Sequence, residues 1–137
     1  RGWTFQERLL SERCLFMTTQ GVFFKCPSLC HNFGKEMSVG KSVGASPEVS
    51  WLLSAGTLKW SDHFMRYATL VKEYSKRSLT YPSDAINAFS GISQLLQHRL
   101  GGETACGLPR GAIDAALLWC PAEPLVRNLR FPTWSWA

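Results

Sequence analysis

Three apolar runs in the second half of the chain recur at helical spacing, and each is cut short by proline or glycine. Phe64, Tyr67, Ala68, Val71 and Tyr74 return every three or four residues, which lines one face of a helix. Ser61 or Asp62 is placed to cap that helix, which the pattern carries to about Ser78. Tyr81-Pro82-Ser83-Asp84 then punctuates the chain. Ser83 is the expected N-cap of a second helix carrying Ile86, Phe89, Ile92, Leu95 and Leu96 and ending at Gly101-Gly102. Gly91 inside it costs roughly 1 kcal/mol against Ala, tolerable where another helix approaches closely. Gly107-Leu108-Pro109 introduces a third run, residues 112–120, stopped by Pro121 and Pro124. Asp84 and Asp114 read as helix-start residues facing the helix dipole. Short helices of this kind are stable only when packed together.

The first half reads differently. Thr4 and Glu7 stand at capping-box spacing, so a helix is expected to start at Thr4, with Phe5, Leu9 and Trp3 on its apolar face. Cys14-Leu15-Phe16-Met17-Thr18 and Val22-Phe23-Phe24-Lys25-Cys26 read as two strands. Thr19-Gln20-Gly21 turns the chain between them, with Gly21 free to take positive φ. A lone hairpin is marginal, so it must extend a sheet or pack on helices. From Pro27 to about Gly56, Gly, Pro and Ser break every pattern, which predicts a long loop or variable insertion anchored by a short turn at Val49-Ser50-Trp51-Leu52-Leu53. At the far end, Phe131-Pro132-Thr133-Trp134-Ser135-Trp136 alternates aromatic and small residues, the pattern of a strand or an extended plug against the core.

Six Trp and eight Phe among 137 residues supply enough apolar area for a substantial core. With 45% hydrophobic and 18% charged residues the chain is globular rather than disordered. Its net charge of +5 is scattered, which reads as a solvated basic surface and not as a nucleic-acid face. No stretch approaches the roughly 20 apolar residues of a membrane span. Five Cys, an odd number without a secretory signal, predict reduced thiols and a cytoplasmic location. The first residue is Arg, and the sequence is expected to be a piece of a longer chain.

Few residue groups carry recognisable chemistry. Gly40-Lys41-Ser42 mimics the end of a phosphate loop, but the required earlier Gly is Lys35, and no strand leads in. Cys26, Cys30 and His31 lack the second ligand pair of a structural zinc site, and His63, His98, Cys106 and Cys120 stand alone, so no metal is expected. A Ser-His-Asp triad has no nucleophile elbow to hold it. What is left is Arg1, Gln6, Glu7 and Arg8 beside Trp3. Either these form a helix cap with surface ion pairs, or they are part of a site.

Arg1-Gly2-Trp3-Thr4-Phe5-Gln6-Glu7, followed by Leu10-Ser11, closely resembles the last signature block of the fungal heterokaryon-incompatibility (HET) domain, which runs Arg-x-Trp-Thr-x-Gln-Glu and then Leu-Ser. Tyr74-Ser75, Leu79-Thr80-Tyr81-Pro82-Ser83-Asp84-Ala85 and Ala88-Phe89-Ser90-Gly91-Ile92 resemble the helical region that follows that domain. Gly107-Leu108-Pro109, Ala115-Ala116-Leu117-Leu118-Trp119 and Phe131-Pro132-Thr133-Trp134-Ser135-Trp136-Ala137 are similar to the closing segments of the same proteins.

The resemblance implies an α+β chain, mostly α. An N-terminal helix and β-hairpin, the edge of a truncated TIR-like α/β domain, precede a region of about three helices. Residues 1–30 are then the end of the HET domain, residues 31–58 a variable loop, and residues 59–137 the helical region after it. The implied function is fungal nonself recognition and programmed cell death through protein partners or self-association. Arg1, Trp3, Thr4, Gln6 and Glu7 match the family block. The alternatives are a TIR-like NAD hydrolase, inactive as this piece, and a structural helical module. Glu7 is the one local carboxylate considered for catalysis. No cofactor is expected here, NAD being a ligand of the intact domain only in the enzyme reading.

Overall fold

The computed structural model describes residues 1–19, 21–26, 29–33 and 59–137. Gly40-Lys41-Ser42, the turn at Val49 and the rest of the predicted loop beyond Phe33 lie outside the described residues. The fold is α+β and mostly helical, and its contacts divide it into two compact units. One comprises Arg1–Glu7 with Thr57–Ala137, the other Arg8–Gly56. The division falls inside the first helix, α1 (Trp3–Leu10).

In the smaller unit, β1 (Cys14–Thr18), β2 (Gly21–Cys26) and β3 (Leu29–Phe33) form an antiparallel sheet in the order β1-β2-β3. The expected hairpin is present, with Thr18 opposite Gly21 and Gly21 at φ 138°. The third strand corrects the sequence reading, in which a loop began at Pro27. Leu29-Cys30-His31-Asn32-Phe33 has no β-branched residue to announce a strand, yet it pairs along β2 from Cys26↔Leu29 to Val22↔Phe33. Backbone pairing to an existing strand outweighs weak propensity. Arg8 lies over the Phe16 ring at 5.3 Å.

The larger unit is built on α2 (Trp60–Ser75), which starts one residue before Ser61 and stops three short of Ser78. Neither expected cap residue occupies the cap position, which is Lys59. Asp62 acts from within the first turn, its carboxylate accepting the Lys59 N–H at 3.1 Å. Tyr67, Leu70 and Tyr74 form the buried stripe of α2.

The second predicted helix is broken. Residues Pro82–Asp84 and Asn87–Phe89 are 3₁₀ turns, and the α-helix proper, α3 (Ser90–Gln97), begins seven residues after Ser83. The cause is local. The Tyr74 hydroxyl donates to the Ala85 carbonyl at 2.8 Å, and the Phe89 N–H turns instead to Ile86 at 3.1 Å. Helix α3 stops at Gln97, short of the expected Gly101-Gly102, and the glycines close the turns that follow, Gly102 N–H returning to the Gln97 carbonyl at 2.8 Å.

Beyond it, β4 (Thr104–Ala105) and β5 (Leu108–Pro109) form a small ladder that the sequence pattern did not announce. Its two turn residues, Cys106 (φ 45°) and Gly107 (φ 90°), both have positive φ, as a two-residue type I′ hairpin requires. The third helix, α4 (Ile113–Ala116), is four residues long where residues 112–120 were expected. Asp114 does lie in its first turn.

The last segment is not a strand. It turns through Ser135 N–H to the Pro132 carbonyl and inserts Trp136 as a plug. The Trp136 ring meets Tyr74 and Phe89 edge-on at 5.8 and 5.3 Å. Its Nε1–H donates to the Tyr67 hydroxyl at 2.9 Å, which donates to the Gly107 carbonyl at 2.8 Å. Phe89, Ile92, Leu96, Leu100 and Leu108 complete the core. Burying each such side chain contributes roughly 1.5–3 kcal/mol.

Candidate functional site

Helix α1 starts at Trp3, and Thr4 is already inside it. The capping box therefore does not form: the Thr4 hydroxyl donates to the Arg1 carbonyl at 2.9 Å, while Phe5 N–H donates to Gly2 at 3.0 Å. Gly2, not Thr4, receives the first helical bond because its buried backbone is fixed against the chain after α2. Gly2 N–H donates to the Ser78 carbonyl at 2.9 Å, and a Cβ on Gly2 would overlap the Leu79 side chain.

Two further residues of the block point inward. Phe5 is buried against Tyr74, ring centres 5.8 Å apart, with the Arg77 guanidinium over its ring, 4.5 Å from the centroid. The Gln6 side-chain oxygen accepts the Gly91 N–H at 3.0 Å. Gly91 is in the first turn of α3, where an N–H has no partner within the helix. Gln6 thus supplies α3 with a cap from 85 residues away in sequence.

The other block residues point outward. Arg1, Gly2, Trp3, Thr4 and Glu7 line a cleft of about 300 Å³ whose opposite wall is Ser78-Leu79-Thr80. Trp3 keeps 42% of its surface exposed, and Arg1, Thr4 and Glu7 are exposed as well. Glu7 is the single carboxylate among the lining residues. The cleft offers a cation, an anion, an indole and hydroxyl groups around an open floor. That set suits hydrogen-bonded and ionic contact with a polar partner surface. Of the five family-block residues, four come together here and Gln6 does not. Ser78 and Thr80 were not among the site candidates read from the sequence, where Ser78 is the expected helix end and Leu79-Thr80 open a stretch resembling the family's helical region.

The remaining sequence candidates stay apart. Among the described residues no three His, Cys, Asp or Glu side chains converge, and the side chains of Cys30 and His31 lie outside the described set. Cys106 is a turn residue whose carbonyl accepts the Ser135 hydroxyl at 2.7 Å, and Cys120 is exposed. Burial, with the positive charges of Arg99 and Arg66, pushes the His63 imidazole below its ordinary pKa, against the opposite pull of Asp62. Burial raises the Tyr74 phenol to about 12, helped by Asp84, and raises Tyr67 further despite the Trp136 hydrogen bond. Both phenols are core hydrogen-bond donors. Among the described residues no helix is long and apolar enough to cross a membrane. Comparison with protein-family models, curated proteins and solved structures found no match.

Proposed function

We propose that this chain belongs to a HET-type incompatibility protein and acts in fungal nonself recognition by protein association that ends in growth arrest. The observation that carries the reading is the division of labour within Arg1–Glu7. Gly2, Phe5 and Gln6 fix the block to the helical unit, while Arg1, Trp3, Thr4 and Glu7 are left on one open cleft. A helix cap alone needs none of those four in the open. An exposed Trp flanked by Arg and Glu is instead the composition of a binding hot spot. The proposed setting is the cytoplasm, and the proposed partner is another protein.

Glu7→Ala in the complete gene product, scored for growth arrest and for NAD loss in the same fungal cells, tests the reading. The expected result is loss of arrest with no change in NAD. Parallel loss of NAD turnover and arrest would replace association by NAD hydrolysis. Arrest at the unchanged level would remove Glu7 from the function altogether.

A further inference from the structure

Residues 121–130 leave an unusual amount of aliphatic surface in water. Val126 is 97% exposed and Leu129 84%, with Leu125 beside them also exposed, and Leu118 at 82% just before the segment. Scattered exposed aliphatics need no explanation, but three within five residues form a patch that calls for a cover. The segment is neither helix nor strand, yet it is tied at both ends. Before it, Trp119 Nε1–H donates to the Trp134 carbonyl at 2.8 Å. After its exposed apex, Asn128 donates from its side chain to the Pro82 carbonyl at 3.1 Å and accepts the Arg130 N–H at 3.2 Å. Between these ties, among the described residues, the backbone of residues 122–127 makes no backbone–backbone hydrogen bond. Backbone groups and side chains alike are presented outward, with part of their freedom already removed by the anchors.

The charges indicate what covers it. Glu123 and Arg127 stand two residues to either side of Leu125. We propose that residues 121–130 form a self-association surface in which two copies pair this segment antiparallel about Leu125. In that register Glu123 of each copy faces Arg127 of the other, twice, and the two Leu125 side chains meet between these ion pairs. Pairing straightens the bend at residues 122–123, and period-two alternation in the paired strand then puts residues 123, 125 and 127 on one face. Their N–H groups point to the other copy when Leu125 is a hydrogen-bonded pair. Pro124, which has no N–H, then turns its nitrogen outward, where a strand tolerates it. The turn at residues 129–130 ends the ladder beyond Asn128. A two-fold contact needs a self-complementary patch, and this one is self-complementary in charge as well as in apolar surface. Its small size makes the dimer weak and concentration-dependent. The surface shares no residue with the Arg1–Glu7 cleft, so it stands whether or not that cleft recognises a partner.

Sedimentation of the full chain across a concentration series tests this. The unaltered chain dimerises as concentration rises. Glu123→Arg and Arg127→Glu each place like charges opposite one another and weaken the dimer at least tenfold. The double exchange Glu123→Arg/Arg127→Glu restores it, and mixing the two single variants gives a heterodimer that neither forms alone. All these positions are exposed, so folding is unaffected. A monomer at every concentration, or a dimer indifferent to the exchanges, overturns the proposal.

Discussion

At the residue scale, the side chains that matter most for stability are those with one defined partner. Gln6→Ala leaves the Gly91 N–H of α3 without its acceptor and should cost about 1 kcal/mol in denaturant unfolding. Gln6→Glu keeps the acceptor and adds a negative charge at a helix start, so it should retain or raise stability. Equal losses in both variants would show that the bond contributes nothing. Gly107→Ala has no such conservative escape. It places a Cβ 2.9 Å from the Trp136 ring at φ 90°, which should cost roughly 2–4 kcal/mol.

His63 adds a pH dependence whose sign follows from its lowered pKa. The unfolded chain binds the proton more readily, so stability falls as pH drops from about 7.5 through the ordinary histidine value near 6.5 and on to the folded value. His63→Gln should flatten that part of the unfolding-midpoint profile. Tyr74 acts at the other extreme. Its phenol is held neutral up to about 12, so stability declines as pH rises from roughly 10, the unfolded value, toward 12.

At the element scale, the closing segment behaves as a plug and not as a strand. Trp136→Ala removes its contacts with Tyr74 and Phe89 and should destabilise the chain by about 3–5 kcal/mol. Trp136→Phe keeps an aromatic ring but not the donor to Tyr67, and should cost roughly 0.5–1.5 kcal/mol in the same measurement. The Trp and Phe periodicity made the plug legible in the sequence, as the spacing of Tyr67 and Tyr74 did for α2. The helix starts were not legible, because the acceptors that set them are remote or inverted. Asp62 caps backward from within α2, Tyr74 claims the Ala85 carbonyl that a longer helix would use, and Gln6 reaches α3 from the other end of the chain. β3 and the β4–β5 ladder were hidden for another reason. Their pairing is made by backbone groups that carry no residue signature. The cleft was half legible: the block's composition singled out Arg1, Trp3 and Glu7, while only folding brings Ser78-Leu79-Thr80 opposite them.

At the scale of the whole molecule, Arg1–Glu7 packs with the helical unit, across a long interval of sequence. Removing those seven residues strips away the buried Phe5, its contact with Arg77 and the cap on α3. Summed, these come to roughly 3–5 kcal/mol, a large fraction of the 5–15 kcal/mol that holds an ordinary domain together. The truncated chain should therefore lose its cooperative thermal transition or show it at a much lower temperature. The same packing separates two kinds of variant. Changes at Gly2, Phe5 or Gln6 reach function through stability, whereas a change at Trp3, 42% of whose surface is exposed, removes cleft surface as well as packing. The deciding measurement is growth arrest by Trp3→Ala in the complete gene product, taken together with its unfolding midpoint. The expected result is a loss of about 1–2 kcal/mol with a cooperative transition retained, and arrest abolished. Full arrest from a folded Trp3→Ala protein would contradict the assignment of the cleft as the recognition surface.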